Sequence, residues 1–103
     1  MRRAPRIDAN HAAVASAFRA MGCSVLSLAA VGKGCPDLVI GVAGRNLLCE
    51  VKDGLKSPSR RRLTPKQAEF KASWRGSVLY VDDVGDVPTI VNAMRSARAL
   101  TGS

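Results

Sequence analysis

The chain has 103 residues, 47% of them hydrophobic, and 16 Lys+Arg against 8 Asp+Glu give a formal net charge of +8. That length suits one domain with one modest core, which excludes a cofactor domain paired with a substrate lobe. No apolar run approaches the ~18 residues of a membrane span, and so strong a positive field on so small a chain points first to a nucleic-acid partner.

Residues 1–6 read as a disordered basic arm, residues 7–99 as the single domain and residues 100–103 as a flexible tail. No apolar run follows the arm, which argues against a signal peptide. Asp8 suits the N-cap of a first helix reaching about Met21, with Val14, Phe18 and Met21 as its apolar stripe and Gly22 as its stop. Residues 24–28 predict a strand, and Gly32-Lys33-Gly34-Cys35-Pro36 belongs to a glycine-rich loop. Residues 37–42 and 46–52 predict two further strands, joined as a hairpin around Ala43-Gly44-Arg45. Their nearly continuous apolar character predicts burial on both faces.

Residues 53–62 form a polar, basic loop. Thr64-Pro65-Lys66-Gln67 is a capping box with Pro at the first helical position, and the helix it opens reaches about Arg75, with Gly76 as its stop. Phe70 and Trp74, four apart on that helix, read as core packing. Residues 77–81 predict a strand, and Asp86 caps a last helix with Val87, Ile90, Val91 and Met94 facing inward. The order α-β-β-β-α-β-α predicts an α/β fold with a mixed sheet flanked by helices. Cys23, Cys35 and Cys49 are odd in number with no CxxC, and His11 is the single histidine. A disulfide framework and a zinc site are both disfavoured, the cysteines read as small buried fillers, and the compartment reads as reducing cytoplasm.

Charge inside the hairpin needs an explanation. Glu50 and Lys52 are two apart and so share a face, and a hairpin folded symmetrically about Ala43-Gly44 sets Asp37 directly across from Glu50. Two carboxylates forced together repel unless neutralised, and a hard divalent cation, Mg²⁺ or Mn²⁺, does that. The Val51 carbonyl could add a third ligand, and Lys52 supplies positive charge beside the metal. These are the parts needed for metal-assisted phosphodiester hydrolysis. The plainer reading is a cross-strand ion pair on a solvated face, which the apolar surroundings disfavour.

Cys35-Pro36-Asp37, twelve intervening residues, then Glu50-Val51-Lys52 resembles the PD-(D/E)xK nuclease signature. With Asp8-Ala9-Asn10, Val31-Gly32-Lys33-Gly34, Asp53-Gly54 and Leu63-Thr64-Pro65-Lys66-Gln67 around it, nearly the whole chain resembles the small VRR-NUC-like, Holliday-junction-resolvase-like nucleases of phages and prophages. The resemblance implies a restriction-endonuclease-like core, Mg²⁺ or Mn²⁺, DNA cleavage, a homodimer, and a bacterial or phage-infected cytoplasm. It implies Asp37 and Glu50 as metal ligands, Lys52 as the catalytic lysine, and Gln67 as a further catalytic residue beside its capping role. Relatives often carry a Glu in the first helix; this chain offers Asn10 there as a weaker metal-side group.

Eight basic residues fall between Lys52 and Arg75. Lys56, Arg60, Arg61, Arg62 and Lys66, together with Lys33, are placed to hold the DNA backbone. Gly32 and Gly34 either let the backbone approach DNA or only make the turn, and His11 is either solvated or near the site. The leading function is a metal-dependent DNA endonuclease selective for branched DNA. The alternatives are a non-catalytic DNA-binding module of the same fold and, more weakly, a partner of an acidic protein.

Overall fold

The computed structural model of the chain describes residues 9–52 and 62–101. The expected arm, the Asp8 cap and the phosphate contacts Lys56, Arg60 and Arg61 lie outside the described residues.

Helix α1 (Ala9–Ala20) ends as the sequence requires. Gly22 takes φ +86, its N–H donates to the Arg19 carbonyl at 2.9 Å, and the Cys23 N–H reaches the Phe18 carbonyl at 3.1 Å. This is a Schellman stop, which a Cβ at Gly22 would strain. Three strands follow as an antiparallel meander: β1 (Ser24–Ser27), β2 (Leu38–Val42) and β3 (Arg45–Val51). Ala43 and Gly44 make the β2–β3 turn with φ of 55 and 76°, the left-handed pair of a type I′ hairpin. The observed pairs, Leu38↔Cys49 through Val42↔Arg45, are those of the symmetric hairpin expected from sequence.

Helix α2 (Pro65–Ser73) carries the chain across to β4 (Val78–Val81), which lies parallel to β3. The sheet is therefore mixed, in the order β1-β2-β3-β4. A 3₁₀ turn (Val84–Asp86) leads into α3 (Val87–Thr101). The core fills one face of the sheet, where Val14 and Phe18 of α1 and Val87 and Val91 of α3 meet Leu38, Ile40, Cys49 and Val81. Arg95 donates to the Met21 carbonyl at 2.6 Å and ties α3 to the end of α1. The protein is a small α/β domain with a four-stranded mixed sheet flanked by helices, in the element order expected.

Several local expectations are corrected. Helix α2 stops earlier, because Trp74 turns extended (φ −74, ψ 127), so Gly76 is not its terminator. Asp83, not Asp86, is the cap before the last helix: its carboxylate accepts the Gly85 N–H at 2.9 Å, and Asp86 lies within the 3₁₀ turn. Helix α3 continues to Thr101, so the expected tail at 100–103 begins inside it. Burial on both faces holds only at the end of β3, where Cys49, Glu50 and Val51 are consecutively buried; β2 alternates, with Val39 and Gly41 half-buried. Side chains along a strand point to opposite faces. Cys49 and Val51 join the core, and Glu50 points to the other face, toward α2.

Candidate metal and nucleic-acid site

The site begins at Pro36, a buried residue without an N–H. The next residue, Asp37, continues the β1–β2 ladder through its carbonyl, which accepts the Leu28 N–H at 2.7 Å. One step further along the β2–β3 register sets Asp37 opposite Glu50. There the Asp37 carboxylate replaces the missing backbone rung and accepts the Val51 N–H at 2.7 Å. The N–H and C=O of one strand residue point to the same edge, so the Val51 carbonyl faces the Asp37 side of β3. The Lys52 N–H, at the next position, turns to β4 and donates to the Val81 carbonyl at 2.8 Å.

Glu50 is 4% exposed. A buried carboxylate must be paired or hydrogen-bonded. The Gln67 Nε2 donates to its Oε2 at 2.9 Å, and the Lys52 ammonium lies 3.9 Å from the same oxygen. Gln67 holds Glu50 with one end of its amide while its Oε1 accepts the Thr64 N–H at 2.9 Å. The Thr64 hydroxyl in turn accepts the Gln67 N–H, so the capping box fixes the side chain that grips Glu50.

Both carboxylates act electrically on their surroundings. Burial first, then the charges of Asp37 and Glu50, push the Cys49 thiol up to about 12. Burial, then Glu50 and Asp37, also raise the Cys35 thiol. An open groove of about 520 Å³ runs over Asp37 and is lined by Gly32, Gly34, Cys35, Lys66 and Gln67. Gly34 has φ +78, and a Cβ there would overlap the Lys66 carbonyl. The glycine therefore seats the loop against the first turn of α2. At Gly32, with φ +68, a Cβ would meet nothing of the chain within 4 Å, so no packing within the fold calls for the glycine beyond the turn itself. Between them Lys33 is exposed and held at φ 59°, a left-handed conformation a lysine rarely takes.

The expected residues thus divide into three groups. Asp37, Glu50, Val51, Lys52 and Gln67 are brought together. Lys66 lines the groove, Lys33 sits on its glycine-rich rim, and Arg62 is exposed just before α2. Asn10 stands at the ends of β3 and β4, with its amide nitrogen committed to main chain. Its Nδ2 donates to the Lys52 carbonyl at 2.7 Å and the Asp82 carbonyl at 3.2 Å, because the ends of β3 and β4 leave carbonyls that need a donor. His11 keeps a buried Nε2 without a hydrogen-bond partner.

Trp74 is displaced from expectation, whereas Phe70 is half-buried and lines a small cavity with Pro36, Val78 and Leu79. The two rings stack on each other, ring centroids 5.2 Å apart, and Trp74 is 48% exposed rather than in the core. The signal was present in α2 itself: PKQAEFKAS offers one large apolar residue, too few for a helix that buries a face.

Among the described residues no group of three or more His, Cys, Asp or Glu is spaced to hold a metal ion. The donors on hand are two carboxylates and one main-chain carbonyl. An ionised carboxylate accepts at both oxygens, so a hydrogen bond at one does not exhaust it. An all-oxygen set of this kind suits Mg²⁺ or Mn²⁺ rather than zinc. Compared with protein-family models, with curated proteins and with solved structures, the chain matches none.

Proposed function

We propose that the protein is a divalent-metal-dependent DNA endonuclease with a restriction-endonuclease-like core, acting on branched DNA in a reducing cytoplasm. The observation that carries this reading is the meeting of Asp37, Glu50 and the Val51 main chain at one end of the β2–β3 hairpin, with Lys52 beside them. Asp37, Glu50 and the Val51 carbonyl would hold Mg²⁺ or Mn²⁺. Such an ion supplies charge neutralisation at a phosphate and a more acidic water. The chain's own groups supply the rest. Gln67 fixes the Glu50 carboxylate. The Lys52 ammonium offers a positive charge to oxygens that gain negative charge as the phosphodiester is attacked. Lys33, Arg62 and Lys66 hold phosphates along the groove. Free thiols at Cys23, Cys35 and Cys49 fit the reducing compartment. We extend the proposal to a two-fold pair of copies, one site for each strand.

A panel of Holliday junctions, flaps, nicked and linear duplexes, each with Mg²⁺ and with Mn²⁺, tests the reading. Cleavage is expected on branched substrates, with loss of at least about 100-fold in Glu50→Ala and Lys52→Ala at retained DNA binding. Undiminished cleavage by purified Glu50→Ala protein overturns the assignment. One observation favours a second reading, a DNA-binding module that does not cut: Asp37 and Glu50 are both already engaged by protein donors. That reading stands if every substrate is bound and none is cut with either cation.

A further inference from the structure

Trp74 is the single tryptophan of the chain, and nearly half of it faces solvent. Its indole is not loose. It stacks on Phe70 with an interplanar angle of 15°, and a Cβ at Gly76 would stand 2.9 Å from its Nε1. The backbone after α2 therefore leaves the ring little room to shift. Phe70, on which the ring stacks, lines a small cavity together with Gln67 and Glu50, and Trp74, the residue that caps the end of α2, stands about 10 Å along the axis from Gln67. The ring thus stands on the same side of α2 as the amide that grips Glu50. Lys66, Lys71 and Arg75 are exposed along this segment, opposed by exposed Glu69.

A rigid, half-exposed aromatic face among cations has a particular chemistry. Cations track a phosphate backbone, and the ring stacks a base without regard to its identity. A duplex hides its base faces within the stack, so only an unpaired base can meet the indole. From these observations, and resting on the nuclease reading above, we infer that Trp74 is a stacking platform for an unpaired base about three nucleotides along the strand from the groove at Gln67, taking ~3.4 Å of rise per nucleotide. The protein then selects branched or single-stranded DNA through α2, by the exposed base and not by sequence.

The single tryptophan makes the test direct. With EDTA present, so that nothing is cut, indole emission is followed while the full chain is titrated with three labelled DNAs. These are a single strand, a fork with unpaired arms and a blunt duplex of equal length, and anisotropy reports binding in the same cuvette. Emission is expected to fall about two-fold or more with the strand and the fork and to stay nearly constant with the bound duplex. Trp74→Ala is expected to weaken strand and fork binding roughly 5- to 100-fold and duplex binding little, and Trp74→Phe to retain most of the affinity. Circular dichroism checks that both variants fold. Binding of strand and fork without quenching, equal quenching by the duplex, or unchanged affinity in Trp74→Ala overturns the stacking inference and leaves the nuclease reading in place. Emission that changes with protein concentration and ignores DNA assigns the ring to a contact between copies and overturns it as well. Absence of binding to all three DNAs overturns the stacking inference, while the nuclease reading is decided separately by the cleavage panel with Mg²⁺ and Mn²⁺.

Discussion

Gln67 shows how one side chain serves structure and site together. Its Oε1 completes the capping box and its Nε2 holds Glu50, so the start of α2 and the orientation of the carboxylate are one arrangement. Capping was legible from Thr64-Pro65-Lys66-Gln67, because it is local. The reach to Glu50, 17 positions away, was not. Cys49 carries a second consequence of the same site. Its thiol is neutral when protonated, and burial with the nearby Asp37 and Glu50 charges raises it from 9.0 to about 12. A folded value above the unfolded one stabilises the fold fully below about pH 9, and this stabilisation is lost as pH rises from about 9 toward 12. The loss amounts to about 1.4 kcal/mol per pH unit inside that window. Urea unfolding at about pH 8 and about pH 10 is therefore expected to show the wild type losing about 1 kcal/mol more than Cys49→Ala. Equal losses in the two proteins would mean that neither burial nor the nearby carboxylates raise the thiol.

At the scale of elements, the glycine-rich loop and α2 act as one unit. Gly32 and Gly34 both have positive φ, and only Gly34 lies against the Lys66 backbone. A left-handed alanine costs about 1–2 kcal/mol by itself. Gly32→Ala is expected to cost that much in denaturant unfolding. Gly34→Ala is expected to cost at least about 1 kcal/mol more, and to lower cleavage beyond its effect on stability, since α2 must shift and take Gln67 away from Glu50. Identical costs for the two variants would show that the loop does not seat the helix. Sequence marked this segment as a turn through its glycines, and the turn is present. It could not say which glycine a neighbouring helix would crowd, because that depends on a partner more than 30 residues away. The helix ends show the same division. Gly22 terminates α1 through its own φ, as read from sequence, whereas the stop of α2 falls at Trp74, which carries no local stop signal.

For the molecule as a whole, charge and sheet topology work on different faces. Helices α1 and α3 bury one face of the sheet with Val14, Phe18, Val87 and Val91, and the other face presents Glu50 to α2. Lys66 lines the groove where α2 and the glycine-rich loop meet, Lys33 is exposed within that loop, and Arg62 is exposed just before α2. If these three contact phosphates, replacing them together with alanine lowers the slope of log K against log salt by roughly 2 to 3 in magnitude. The measurement is a DNA-binding titration across salt concentrations, and an unchanged slope removes the groove rim from the contact surface. No helix among the described residues is long and apolar enough to cross a membrane.

The sequence by itself determined the element order, the inward stripes of α1 and α3 and the hairpin register that sets Asp37 across from Glu50. Each rests on short-range periodicity, on caps, or on a two-residue turn that fixes pairing by counting. The tertiary structure alone decided that Gln67 reaches Glu50, that Gly34 underlies α2, that Asn10 clamps the ends of β3 and β4, and that Trp74 stands half in solvent. Those features depend on how far the sheet extends beneath a helix and on which backbone groups its edges leave unpaired, and no local pattern of residues encodes either.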